Sequence, residues 1–320
     1  MDIKCLPWVE KYRPKNMKDI ISHNNILNTL TKIIKQGSLP HLLFNGTPGT
    51  GKTSTILTIA KKLYGNDFKF MVLELNASDD RGINSVRIDI KGFAEAKTMF
   101  TKGIKLIILD EADSMTCDAQ FALRRIIEEH SNTVRFCLIC NYINKIIPAI
   151  RSRCMIFRFL PIPIKDSFDI LQKICKKENI KYDKKTLLSI IKVSNGDLRS
   201  SINLLQSISL QYDTLIKLSA YKIISTPEPN QCKKMLFMLM NDEYNFNYCE
   251  KKITKLINKN NYSIDAIITQ LYNVIIENIN DISDDRLSKY IIDLAELEYL
   301  LNSSSYSDIY IGALINIFKS

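Results

Sequence analysis

Residues Gly46-Thr47-Pro48-Gly49-Thr50-Gly51-Lys52-Thr53 fill every fixed position of the pattern G-x-x-x-x-G-K-S/T, and no other stretch constrains the chain as tightly. The apolar run Leu42-Leu43-Phe44 precedes it and a helical run begins near Lys52, so the motif has the strand–loop–helix setting that its chemistry requires. Glycines let the backbone wrap a phosphate, and loop N–H groups together with the helix N-terminus face the anion. Lys52 is placed to reach the β and γ phosphates and the Thr53 hydroxyl to meet Mg²⁺, with Ser54 following in the first turn. The stretch reads as a nucleoside-triphosphate site.

Around it, short apolar runs alternate with helical patterns. Phe70 to Leu75, Ile104 to Leu109, Val134 to Cys140 and Met155 to Phe159 read as strands, and Asn24 to Gln36 as an amphipathic helix ended near Gly37. Such alternation predicts an α/β fold with a parallel sheet covered on both faces, its ligand at the carboxyl ends of the strands. The run Leu106-Ile107-Ile108-Leu109 delivers Asp110 to that edge as a Mg²⁺-shell carboxylate, and Glu111 follows in position to polarise an attacking water. Asn141 closes the next strand, either as an amide near the γ-phosphate or as a turn former before Tyr142. Pro7 to Pro14 reads as an extended segment because of its two prolines; it either clips over the adenine base, through Val9, Tyr12, Arg13 and Pro14, or packs as a tail on the first domain.

Composition narrows the classes. Hydrophobic residues make up 46% of the chain and charged residues 24%, an ordinary globular balance, and no apolar run approaches the ~20 residues of a membrane helix. The first residues lack a secretory pattern, which predicts a protein that stays inside a cell. Eight scattered cysteines predict reduced thiols, and Cys137-Leu138-Ile139-Cys140 lies in a strand whose residues three apart face opposite ways, so it reads as core and not as a metal site. Lys and Arg number 44 against 34 acidic residues, a formal charge of +10 compatible with a polyanionic partner or with a lysine-rich codon bias.

Three further stretches carry a resemblance: Leu75-Asn76-Ala77-Ser78-Asp79-Asp80-Arg81-Gly82-Ile83, Ala122-Leu123-Arg124-Arg125-Ile126-Ile127-Glu128 and Ile150-Arg151-Ser152-Arg153-Cys154. With Trp8 to Pro14 they resemble the small subunits of replication factor C, the eukaryotic sliding-clamp loader, from about Leu6 to Phe159 and on through Gly196-Asp197-Leu198-Arg199. Phe136 to Pro148 resembles the type numbered three in yeast and five in human. The resemblance implies an AAA+ ATPase that uses ATP and Mg²⁺ within a nuclear hetero-pentamer of related subunits. Its other partners would be the sliding clamp (PCNA) and primer-template DNA, with no membrane. By matching positions, Lys52 and Thr53 act in the phosphate loop, Asp110 and Glu111 in metal binding and water activation, Asn141 as first sensor and Arg199 as second. Arg153 resembles an arginine finger given in trans to the neighbouring subunit's nucleotide.

The helix after Gly82 would set Asn84, Arg87 and Lys91 on one face, with Arg81 beside it, for contact with DNA phosphates; Gly92 is expected to interrupt that helix. Beyond Pro163 the periodicity is helical throughout. The division expected is an AAA+ ATP-binding domain at 1–160, a helical lid at 161–225 and a helical collar at 226–320. Ile264, Ile268, Leu271 and Ile275 form a stripe that fits either an internal core or a subunit interface. A helicase-type remodelling motor is the competing reading, because Asp110-Glu111-Ala112-Asp113 matches a helicase box by letters; a third is an ATP-binding assembly or checkpoint subunit with little turnover.

Overall fold

The computed structural model describes residues 6–37, 39–78, 82–96, 103–212, 214–215, 220–278, 283–303 and 307–319. The chain divides into two compact units, Met1–Tyr182 with Ser194–Thr214, and Asp183–Val193 with Leu215–Ser320.

In the first unit, β1 (Leu42–Gly46), β2 (Val72–Asn76), β3 (Lys105–Asp110), β4 (Val134–Cys140) and β5 (Met155–Phe159) form one sheet in the order β2-β3-β4-β1-β5, every pairing parallel. The period of two along each strand sorts its side chains between two cores. Leu42, Phe44, Leu106, Ile108, Cys137 and Ile139 pack with Leu30 of the helix Asn24–Lys35 and with Ile56 and Ile59 of the helix Lys52–Tyr64. Leu43, Ile107, Leu109, Phe136, Leu138 and Cys140 face the opposite way, toward Ile90 of the helix Gly82–Glu95 and Leu123 and Ile127 of the helix Cys117–Glu129. Each such Leu, Ile or Phe removed from water contributes roughly 1.5–3 kcal/mol, so a sheet covered on both faces selects near-continuous apolar strands. Cys137 and Cys140 therefore belong to different cores, and among the described residues no His, Cys, Asp and Glu side chains cluster as a metal site.

Four expectations are corrected. Pro7 to Pro14 is not extended: Trp8–Lys11 form a helical turn, with Glu10 and Lys11 N–H donating to the Pro7 carbonyl at 3.0 and 2.9 Å. Pro7 sits at the cap, where its missing N–H costs nothing, and Pro14 lies beyond the turn. Phe70 falls in the turn Phe68–Met71 instead of β2, since the ladder begins only where Val72 pairs with Leu106. Gly92 does not interrupt its helix, which runs on to Glu95. Two-residue strands at Lys181–Tyr182 and Thr214–Leu215 break the uniformly helical reading beyond Pro163.

In the second unit the helices Pro229–Met240, Phe246–Asn260, Ile264–Glu277, Asp284–Ser303 and Ser307–Lys319 surround a core that includes Leu239, Ile253, Ile267, Leu314 and Ile315. Ile264, Ile268, Leu271 and Ile275 all lie in it, which decides between the two readings of that stripe in favour of internal packing. Phe237, Ile292, Tyr299 and Ile309 remain on the outside. No helix among the described residues is long and apolar enough to cross a membrane.

Two outcomes test this packing. Leu271→Ala removes a fully buried side chain and should cost about 2–5 kcal/mol in urea unfolding followed by circular dichroism. His41 Nδ1 accepts the Phe136 N–H at 3.1 Å, and burial, then the Arg135 charge, lower its pKa from 6.5 to about 4. The folded protein thus holds His41 neutral while the unfolded chain protonates it below 6.5, so stability should fall as pH drops from 6.5 towards about 4. His41→Asn should flatten that part of the urea-midpoint profile.

Candidate functional site

The strand order places β4 between β1 and β3, so three strand ends meet side by side at one edge of the sheet. From β1 runs the phosphate loop. Gly49 and Gly51 hold positive φ values of 67° and 91°, and a Cβ at Gly49 would meet Asp197 Oδ1 at 1.6 Å, so that position has no room for a side chain. Asp197 also caps the helix Leu198–Gln211 by accepting the Ser200 N–H at 3.1 Å, and the Leu198 N–H donates to the Gly49 carbonyl at 3.3 Å. The helix that carries Arg199 in its first turn is thereby seated on the loop.

Lys52 is 7% exposed, and its ammonium donates to Gly46 O at 2.7 Å, Thr47 O at 2.9 Å and Asn141 Oδ1 at 2.9 Å. Burial lowers its pKa, the charges of Asp110 and Asp113 oppose the shift, and that of Arg199 adds to it. Phosphate oxygens are stronger acceptors than the carbonyls now holding those protons. Thr53 Oγ1 donates to Asp110 Oδ2 at 2.7 Å, which brings together two hard oxygen ligands, from the helix after β1 and from the end of β3. Both suit Mg²⁺, which uses one or two protein oxygens and otherwise keeps water and phosphate ligands.

Glu111 follows Asp110 in the left-handed region at φ 55°, uncommon for a residue with a Cβ. Its N–H donates to Asp110 Oδ1 at 2.9 Å, and its carbonyl accepts from Ser114 N at 2.9 Å and Oγ at 2.7 Å. That turn leaves the Glu111 side chain exposed at the site edge. Asn141 is fixed from behind. Asp113 Oδ2 accepts its N–H at 3.2 Å and that of Tyr142 at 3.0 Å, pinning the end of β4. Nothing in the sequence marks Asp113 for this role, because no spacing pattern announces a bond across 28 positions.

The other expected residues are placed as follows. Pro14 lies beside the phosphate-loop helix, its carbonyl 3.5 Å from Thr58 Oγ1, and Arg13 pairs with Glu10 at 3.3 Å. Val9 is half-buried, and the Tyr12 hydroxyl donates to Glu178, which Lys11 also meets at 2.5 Å. Burial and then the Glu178 bond raise the Tyr12 pKa. Arg153 is exposed, its guanidinium paired with Glu128 and donating to Ala149 O at 2.7 Å. Lys91 is exposed and pairs with Glu95 at 3.7 Å. Arg81 and the side chains of Asn84 and Arg87 lie outside the described residues.

The ATPase family associated with various cellular activities (AAA) matches residues 42–162, the RCF1/5-like AAA+ ATPase lid domain matches 169–210, and the replication factor C C-terminal domain matches 227–316. A Dictyostelium discoideum protein named "Probable replication factor C subunit 5" is 45% identical over 99% of this chain and 91% of its own length. The chain belongs to the replication factor C family. Replication factor C subunit 3 of Schizosaccharomyces pombe, at 41% identity, covers 98% of this chain and 91% of the relative, and human replication factor C subunit 5, also at 41%, covers 99% and 92%. Membership makes the chain an AAA+ ATPase subunit with a nucleotide site, within a multi-subunit replication factor C assembly. The Thermotoga maritima RuvB Holliday junction branch migration motor shares the fold, with a TM-score of 0.53 at 17% identity over 83% of this chain and 91% of that one.

Asp113→Ala removes both bonds that pin Asn141. Hydrogen bonds to a charged acceptor contribute about 1.5–3 kcal/mol, and ~1.4 kcal/mol is tenfold in rate. ATP turnover should fall about tenfold or more while affinity for a fluorescent ATP analogue changes little, which single-turnover and equilibrium-binding measurements on the assembled complex would separate.

Proposed function

We propose that the chain is an ATP-hydrolysing subunit of the replication factor C clamp loader, one of five related chains that open a sliding clamp (PCNA) and place it on primer-template DNA in the nucleus. The observation that carries the reading is the meeting of Lys52, Asn141 and the Thr53–Asp110 pair at one sheet edge, in a chain related to replication factor C along its whole length.

In this reading ATP is the nucleotide. Gly46 to Ser54 hold its phosphates, Val9 and Tyr12 to Pro14 lie along the base, and Thr53 and Asp110 hold Mg²⁺. When bound, Mg²⁺ neutralises charge on the β and γ phosphates. Lys52 would bind the same phosphates. Glu111, exposed at the site edge, orients and deprotonates the attacking water, while the Asn141 amide fixes its position. Arg199 reaches the nucleotide from the helix seated on the loop. Arg153, exposed on the surface, acts on the neighbouring subunit's nucleotide, where a cation meets charge developing in the transition state.

The functional division proposed is 1–160 for ATP, 161–225 for the lid and 226–320 for the collar, supported by the family matches at 42–162, 169–210 and 227–316. The outward apolar residues Phe237, Ile292, Tyr299 and Ile309 support an oligomerisation role for the last part. Arg81, Asn84, Arg87 and Lys91 contact DNA through phosphates, without base readout, so that binding weakens steeply with salt.

The test is the native mass, with chain identities, of the complex that a tagged copy draws from its own cells. A hetero-pentamer of related ATPase chains that carries a ring clamp when ATP is present is the expected result. A homohexamer would replace the reading with a remodelling motor, and a solitary chain would overturn the loader assignment.

A further inference from the structure

The strongest charged cluster outside the nucleotide site joins the helix Cys117–Glu129 to the short helix Pro148–Arg151 and the turn after it. Glu128, near the end of the helix Cys117–Glu129, receives Arg124 Nε at 3.0 Å from the preceding turn. The same oxygen, Oε1, also receives Nη2 of Arg153. Arg153 in turn donates Nη1 to the Ala149 carbonyl at 2.7 Å, at the short helix Pro148–Arg151. All three side chains are between one third and one half exposed, so solvent screening removes most of what these bonds contribute to stability. A cluster of little value to stability invites a different account.

Geometry supplies one. A guanidinium has five N–H donors in a rigid planar fork. Glu128 engages Nη2, and Nη1 donates to the Ala149 carbonyl and, at 3.5 Å, to Ser152 Oγ, contacts that fix the plane and direction of the fork and leave further donors for another acceptor. One carboxylate between two guanidiniums leaves the trio at +1, so Arg124 and Arg153 stand close together without unopposed repulsion while Arg153 keeps its full charge. Arginine otherwise has large rotamer freedom, and a cation that must meet a phosphate on another chain loses that freedom on docking unless something on its own chain has already ordered it.

We propose that Glu128 is a positioning residue that holds Arg153 in the orientation in which it reaches the neighbouring subunit's γ-phosphate, an inference that rests on the reading of Arg153 as acting in trans. Glu128 touches neither nucleotide nor water. Its effect passes through Arg153 alone, and it belongs to the catalytic rate of the neighbour's site and not to this chain's own.

Glu128→Gln keeps size and shape but gives up the charge that orders the fork. In the assembled complex, with the neighbouring subunit's site as the one read by single-turnover ATP hydrolysis, Glu128→Gln should lower kcat by about fivefold to tenfold with little change in KM for ATP. Glu128→Asp, which retains the charge, should recover part of the loss. In an Arg153→Ala background, Glu128→Gln should produce no additional loss. The two readings fail separately. If Arg153→Ala leaves the neighbour's turnover intact, the trans assignment falls and this inference with it. If Arg153→Ala lowers turnover but Glu128→Gln does not, or lowers it equally in both backgrounds, only the positioning role is overturned. Assembly checked by native mass removes misfolding as an explanation for either loss.

Discussion

A lysine ammonium buried to 7% exposure has three protons and must find an oxygen for each, and much of the first unit can be read as the answer to that requirement. Two of the acceptors are carbonyls of the loop, at Gly46 and Thr47, available because the chain turns back over the lysine. The third, the amide of Asn141, which directly follows β4 and lies 89 positions away in sequence, is brought there only by a parallel sheet that places β4 beside β1. The register of that pairing, Leu42 with Cys137 through Asn45 with Cys140, is therefore also the register of the site. A slip of one residue would turn every strand side chain into the wrong core and carry Asn141 away from Lys52.

The sheet and the phosphate loop were legible in the sequence for the same reason: both are local patterns with a strict physical cause. β4 and β5 fall on the residues read as strands: β4 begins and ends where burial does, and β5 is held by its parallel ladder to β1 although Met155 and Ile156 are exposed. The phosphate loop depends on positive-φ glycines that no other residue supplies cheaply, so its spelling is nearly its structure. Where the reading failed, a local rule met a nonlocal fact. Two prolines predict an extended stretch between Pro7 and Pro14, yet one helical turn fits when proline occupies its cap. Gly92 by itself predicts a break in a helix that Ile90 and Ala94 hold down by packing on the sheet. Packing of that kind outweighs the roughly 1 kcal/mol that glycine costs in a helix.

What the sequence left unmarked are the groups that position other groups. Asp113 holds the strand end that bears Asn141, and Asp197 both caps a helix and fills the space that a side chain at Gly49 would need. The cap at Asp197 had a readable signal, an acidic residue after glycine at a helix start. Its pressure on Gly49 had none, since the two lie far apart in sequence. Seating the Arg199 helix on the phosphate loop through such contacts means that displacement of the loop by a ligand must be felt by that helix, with no further element between them.

Lys52 and Arg153, two of the cations assigned to phosphate chemistry, are held in opposite ways, and the contrast follows from where their targets lie. Lys52 serves a ligand of its own chain, so it is buried, its pKa is depressed by desolvation, and main-chain oxygens hold it until phosphate competes. Arg153, read as serving a ligand on another chain, has to stand at the surface, where burial cannot order it. An exposed guanidinium is ordered only by other polar groups, and those groups must not consume its whole donor set or cancel its charge. A carboxylate already shared with a second arginine satisfies both conditions, because neither guanidinium is fully neutralised by it. The arrangement at Glu128 is thus what an exposed, pre-oriented cation requires, just as three oxygen acceptors are what a buried one requires.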